Sequence, residues 1–144
     1  MRTIREILSA KAKTGTVTVQ TGDSVFEAVR QMDQANTGSV VVLEDGRLAG
    51  IFSERDLMRR VVLKGLDLRE TRVSVVMTRD LIYARPDEPA QAAMTRMTRH
   101  RCRHLPVVEG DELVGVVSIG DLMKEHTDEQ EIEIHFLKEY IYSR

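Results

Sequence analysis

The sequence predicts an α/β (α+β) fold made of tandem β-α-β-β-α repeats, packed face to face as one closed, pseudo-twofold pair. Two observations predict it. The nine residues Gly50-Ile51-Phe52-Ser53-Glu54-Arg55-Asp56-Leu57-Met58 return 65 positions later as Gly115-Val116-Val117-Ser118-Ile119-Gly120-Asp121-Leu122-Met123, with five of the nine identical. The offset then runs without a gap from Val17–Arg59 onto Ile82–Lys124, keeping ten identities in 43 positions, among them Ala28/Ala93, Met32/Met97 and Val42/Val107. Internal repetition fixes architecture before local propensity is consulted, and two units are too few for an open solenoid.

The elements follow in order. Thr3 caps a short amphipathic helix over Ile4–Leu8, a polar linker spans Lys11–Gly15, and Thr16–Val19 is a β-branched strand. Asp23 or Ser24 caps a helix whose core stripe is Val25, Ala28, Val29 and Met32, ended by Asn36-Thr37-Gly38. Val40–Leu43 is a buried strand, and Glu44-Asp45-Gly46-Arg47 turns it back because Asp-Gly tolerates positive φ. Leu48–Phe52 is the paired strand, and Ser53 or Glu54 opens a helix to about Leu63. The second copy gives a strand near Leu81–Ala84, a helix from Glu88 to about His100, strands Leu105–Val108 and Leu113–Val117, and a helix from Ile119. Ile132, Phe136, Leu137, Tyr140 and Ile141 form one face of a closing helix that packs on the module or on another subunit. The expected organisation is 1–16 N-terminal helix and linker, 17–64 first repeat, 65–80 linker helix, 81–127 second repeat and 128–144 C-terminal helix.

Composition narrows the function classes. At 144 residues the chain is one domain with room for a core, and 42% hydrophobic with 31% charged residues reads as soluble and globular. A net charge of −2 and six aromatics disfavour nucleic acid. No stretch has the length of a membrane span and no signal peptide is evident, so the expected location is cytoplasmic, which the single cysteine, Cys102, suits. His100, His126 and His135 show no ligand spacing, so no metal site is expected.

The signature carries the chemistry. Gly50 and Gly115 lack a Cβ, which lets a ligand approach the backbone. Ser53 and Ser118 stand at helix N-termini, where free N–H groups favour an anion. Asp56 and Asp121, three residues on, share the serine's helical face and can accept both hydroxyls of a ribose. The competing reading makes each pair a helix cap with a first-turn charge.

This order, with Gly-apolar-x-Ser-x-x-Asp at the last strand-to-helix junction of each copy, resembles the cystathionine-β-synthase (CBS) domain pair. The matching residues are Val17-Thr18-Val19, Gly38–Leu43 and Gly50–Leu57, then Ile82–Ala84, Arg103–Val108 and Gly115–Leu122. With the N-terminal helix and the Val75-Val76-Met77-Thr78 lead-in, nearly the whole chain looks like a stand-alone bacterial two-repeat (Bateman module) protein. The resemblance implies a noncatalytic regulatory sensor, commonly a homodimer, that binds AMP, ADP or ATP, with NAD(H) as a further candidate, in clefts between the repeats. No catalytic residue or catalytic cofactor is expected. The alternatives are an S-adenosylmethionine binder, or a pure protein-interaction module with vestigial clefts; an enzyme is disfavoured.

Under that resemblance Arg103 and His104 align with phosphate-binding positions, and pre-strand residues of one repeat are expected to face the other repeat's helix in one shared cleft. Arg55 adds charge in the first signature where Gly120 cannot. The adenine is expected against strand surface and backbone at Thr16, Val17, Thr18, Gly38 and Val40 in the first copy. Leu81, Ile82, Tyr83, Leu105 and Pro106 are the counterparts in the second. Lys13 can reach a phosphate, and Ile119 borders the second corner. The resemblance also implies a separate regulated protein as partner.

Overall fold

The computed structural model describes residues 2–10, 16–124 and 129–142, with side chains over 134–141 in the last stretch. The chain forms two compact units, Gly15–Leu81 and the discontinuous Met1–Thr14 with Ile82–Arg144.

The first unit contains β1 (Thr18–Gln20), α2 (Val25–Ala35), β2 (Ser39–Glu44), β3 (Arg47–Ser53), α3 (Glu54–Asp56), a π-helical segment (Leu57–Val62) and α4 (Val73–Val76); α1 (Ile4–Ala10) precedes them in the chain and belongs to the other unit. Strand β2 pairs in parallel with β1, Val19 opposite Val42, and antiparallel with β3, Ser39 opposite Ser53. Between α2 and β2, Asn36 takes a left-handed C-cap with φ 53° and returns its N–H to Asp33 and Met32. Ser24 caps α2, accepting from Glu27 N at 3.1 Å, while Asp23 accepts from Gln20 N at 2.8 Å. Asp45 and Gly46 both have positive φ, so the two-residue hairpin turn forms as read from the sequence. Val19, Val25, Ala28, Met32, Val40, Val42, Phe52, Val61, Val73, Val76 and Met77 form the core.

The second unit contains α1, α5 (Ala90–His100), β4 (His104–Glu109), β5 (Glu112–Ser118), α6 (Ile119–Met123) and α7 (Glu129–Tyr142). Its internal geometry repeats the first at the 65-residue offset. Arg101 is a left-handed C-cap with φ 55°, His104 lies opposite Ser118, and the β4–β5 pairing shifts register between Val107 and Val108 as β2–β3 does between Val42 and Leu43. The core gathers Ile4, Ile7, Ala93, Met97, Leu105, Val107, Val117, Leu122 and Phe136.

Each unit is completed by a lead-in helix in a second register. In one, Thr3 bridges Pro89 and Ile4 N donates to Glu88 O at 3.0 Å; in the other, Arg72 bridges Ser24 and Val73 N donates to Asp23 O at 2.8 Å. Thr3 and Arg72 are 69 residues apart, so Ile4, Ile7 and Leu8 correspond to Val73, Val76 and Met77. Thr3 caps α1, accepting from Glu6 N at 3.3 Å, and Arg5 ties the helix to Asp87 at 3.3 Å and Glu109 at 2.5 Å.

Several expectations are corrected. The strand near Leu81–Ala84 reduces to a single bridge, Ala84 to Val107. Two prolines are the cause: the counterparts of Pro106 and Pro86 are Val41, which donates N–H to Val17 O at 3.2 Å, and Thr21, which donates to Leu43 O at 3.0 Å, and proline has no N–H to give. Helix α5 begins at Ala90 rather than Glu88, with Pro89 at the N-cap. The helix expected from Ser53 to Leu63 widens after Asp56 into a π segment, with Leu63 N on Met58 O at 3.0 Å, and Arg60 reaches Met77 O at 3.0 Å. The apolar face of α7 is split: Phe136 is buried, whereas Leu137 and Ile141 are exposed, and the side chain of Ile132 is outside the described ones.

Candidate functional site

Each signature forms the corner where the last strand of its repeat meets a helix. At the first, Ser53 ends β3 in extended conformation, and its Oγ accepts from Asp56 N at 3.2 Å. Asp56 returns the bond, its Oδ2 accepting from Ser53 N at 3.0 Å and from Ser53 Oγ at 3.1 Å. Its Oδ1 accepts from Thr78 Oγ1 at 3.1 Å and lies 3.6 Å from Arg60 Nε. Asp56 is the one charged residue buried to this degree among the described residues, at 6% exposure.

The second corner repeats the capping box. Ser118 Oγ accepts from Asp121 N at 3.1 Å, and Asp121 Oδ2 accepts from Ser118 N at 2.8 Å. Asp121 is half-buried. Both cap-and-carboxylate pairs are therefore real structural caps; a ligand role would be added to that role, not substituted for it.

The residues preceding each second strand sit at their own corner. Gly38 O accepts from Glu54 N at 3.0 Å, and Arg103 O accepts from Ile119 N at 2.9 Å. Arg103, His104, Ser118, Ile119 and Asp121 thus come together within one unit, beside their own repeat's helix. The Arg103 guanidinium lies over the Tyr140 ring of α7, 5.1 Å from its centroid. Arg55 is exposed, and a Cβ at Gly120 would meet only Ser118 Oγ, at 3.7 Å, so that flank is open.

Two expectations fail here on steric grounds. The space beside Gly50 is filled by protein: a Cβ there would lie 2.7 Å from Met77 Sδ and 2.8 Å from Thr78 O. Beside Gly115 it would lie 3.0 Å from Leu8 Cδ2. Both glycines lie inside their strands and admit the lead-in segments, not a ligand.

The adenine candidates divide. Val40 and Leu105 are core, at 2% and 0% exposure, and Pro106 is buried with its carbonyl accepting from Ala84 N at 2.8 Å. Their side chains are not available to a ligand. Thr16 and Tyr83 are exposed, Val17, Thr18, Leu81 and Ile82 are half-buried, and Arg96 donates to the carbonyl of Tyr83. Gly38 is half-buried against Glu54. Lys13 lies outside the described residues. Sequence reasoning missed Thr78 and Arg60; Thr78 stands in the quoted lead-in, but nothing in its spacing shows a bond to Asp56.

Cys102 is half-buried, and burial pushes its thiol pKa up. It borders a shallow, solvent-open groove beneath α7, shared with Ile119, Phe136 and Tyr140. Among the described residues there is no group of three or more His, Cys, Asp or Glu placed to hold a metal, and no helix is long and apolar enough to cross a membrane.

The comparisons agree with this architecture. The family model described as CBS domain matches residues 4–63 and 73–128. The chain is 35% identical to the mitochondrial CBS domain-containing protein CBSX3 of Arabidopsis thaliana over 96% of its own length and 71% of that protein's. It is 37% identical to the CBS domain-containing protein YhcV of Bacillus subtilis, covering 76% of this chain and 77% of that one. Among solved structures, a CBS-domain protein of Agrobacterium tumefaciens superposes with a TM-score of 0.75 at 35% identity, over 85% of this chain and 98% of that one. A CBS-domain protein of Pyrobaculum aerophilum, solved in complex with AMP, gives a TM-score of 0.76 at 27% identity, over 92% and 99%. With both repeats matched and relatives above 30% identity over most of the chain, this chain belongs to the CBS domain family and carries both domains of a CBS pair.

Proposed function

We propose that the chain is a noncatalytic, cytoplasmic regulatory protein that binds an adenosine-containing nucleotide: AMP, ADP or ATP, with NAD(H) and S-adenosylmethionine as the further candidates. The observation that carries the reading is the convergence of Arg103, His104, Ser118 and Asp121 within one unit. An arginine fork suits phosphate oxygens, and a half-buried carboxylate one helical turn away suits a ribose. The AMP complex of the Pyrobaculum relative supports the ligand class. In the first repeat Thr16 and Thr18 are exposed or half-buried positions for a base, with Arg55 and Ser53 supplying charge and a hydroxyl at that corner; in the second repeat Tyr83 is the exposed position.

Regulation follows if nucleotide favours one arrangement of the protein over another and a partner reads the difference. The chain acts as a homodimer on a separate regulated protein. Dissociation constants should fall between about 1 µM and 1 mM, roughly −8 to −4 kcal/mol. Titration calorimetry with AMP, ADP, ATP, NADH and S-adenosylmethionine tests this. Saturable heat from at least one is expected, and neither heat nor thermal stabilisation from any of them overturns it.

A further inference from the structure

Two apolar stripes lie open to solvent, one on each unit. The first is on the π segment, where Leu63 N bonds to Met58 O. That wider turn sets Met58 beside Val62 and Leu63, which are 51%, 59% and 73% exposed. Leu57 and Val61, on the inner side, pack on the core of the first unit. The second stripe is on α7. Ile134, Leu137 and Ile141 share a face at helical spacing and are 53%, 53% and 63% exposed, while Phe136 is buried on the unit's own core. A helix that is apolar on more than one side is built to be covered on more than one side.

The repeat shows what the first stripe lacks. Met58 and Met123 are counterparts at the 65-residue offset. Met123 is half-buried against the core that includes Phe136, and α7 lies on α6. Met58 has no such cover among the described residues.

Charge selects the occupant. Arg55, Arg59 and Lys64 are exposed around the first stripe, and among the described residues none of them has an ion-pair partner. The sequence of α7 holds Glu129, Glu131, Glu133 and Glu139 against Lys138 alone. Pairing either stripe with its own copy would bring like charges together, whereas α7 on the π segment sets acid beside base.

We infer that a second copy of the chain docks here, the outer face of α7 in each protomer lying on the π segment of the other, so that two identical contacts close a dimer. This rests on the homodimer proposed above and not on the nucleotide.

Analytical ultracentrifugation of the full chain tests it. The wild type should be a dimer. Val62→Asp and Leu137→Asp each put a charge into both contacts, and each should raise the dimer dissociation constant at least about tenfold with the circular dichroism unchanged. An equal mixture of the two should associate more tightly than either variant alone, because a mixed pair keeps one contact free of substitutions. Either variant dimerising as the wild type does, or a mixture no tighter than its components, overturns this surface and leaves the homodimer standing. Wild-type assemblies that keep growing with concentration overturn the closed exchange. A monomeric wild type overturns the homodimer and the surface together. Leu63→Asp and Ile141→Asp carry the same test if a first variant does not fold.

Discussion

Gly50 faces Met77 so closely that a β-carbon on Gly50 would stand 2.7 Å from the methionine sulfur, with the carbonyl of Thr78 2.8 Å away. The clash is partly with backbone and the site is buried, so neither neighbour can swing aside. Gly50→Ala should cost about 1–3 kcal/mol through overpacking. Gly115→Ala meets only the tip of Leu8, at 3.0 Å, and should cost less than about 1 kcal/mol. Urea denaturation of the two variants checks the order; equal losses would contradict it.

Val41 and Pro106 occupy the same place in the two repeats, and one N–H separates them. Val41→Pro removes the bond to Val17 O and should trim Thr18 from β1 while Val19 and Gln20 stay paired, at a cost of about 1–3 kcal/mol for the orphaned carbonyl. Pro106→Val supplies the missing donor. Hydrogen exchange should then show a slowed amide at position 106, and a freely exchanging amide there would remove the explanation.

The repeat, the hairpin turns, the caps at Thr3 and Ser24 and the two signature corners were legible because each depends on residues close in sequence. A capping box needs only Ser and Asp three apart, and positive φ at Asp45-Gly46 needs only those two side chains. What stayed hidden depends on partners distant in the chain. Gly50 and Gly115 look like openings for a ligand until Met77 and Leu8 are placed beside them. The lead-in helices follow a 69-residue register, so a gapless 65-residue comparison passes over the match of Ile4 with Val73. Val40 and Leu105 illustrate the same limit: periodicity shows that they are apolar strand residues, while only packing shows them closed to any ligand.

Glu27 offers a pH test confined to one exposed pair. Its hydrogen bonds with Arg30, at 2.6 and 2.8 Å, and then with Gln31 lower its pKa from 4.5 to about 2. A depressed folded-state value means the pair's contribution is complete above about pH 4.5 and is lost as pH falls toward 2. The effect on stability should be small because the pair is solvated. Carboxyl chemical shifts should titrate near pH 2 in the wild type and return toward 4.5 in Arg30→Ala.

Cys102 should behave as a packed thiol in spite of its basic neighbours in sequence. Burial raises its pKa, so little thiolate forms at neutral pH, and alkylation by iodoacetamide should run several-fold slower than for a free thiol. Urea should restore the ordinary rate. Fast labelling of the folded protein would show that Arg101 and Arg103 govern the site after all.

Arg103 has two possible occupations, and they compete. Its guanidinium now rests on Tyr140, a contact worth about 0.5–1 kcal/mol at an exposed site. A phosphate would offer a charge-assisted pair worth about 1.5–3 kcal/mol, so the nucleotide should win the side chain. Arg103→Ala should therefore raise the nucleotide dissociation constant roughly tenfold and flatten its dependence on salt. Tyr140→Ala should do the reverse in part, releasing the arginine and tightening binding by a factor of about two to five, the equivalent of the lost cation–π contact. Affinities measured for both variants at low and high salt decide it. If Arg103→Ala binds as the wild type does, the arginine belongs to the packing of α7 alone, and Asp121 must hold the nucleotide with other cations.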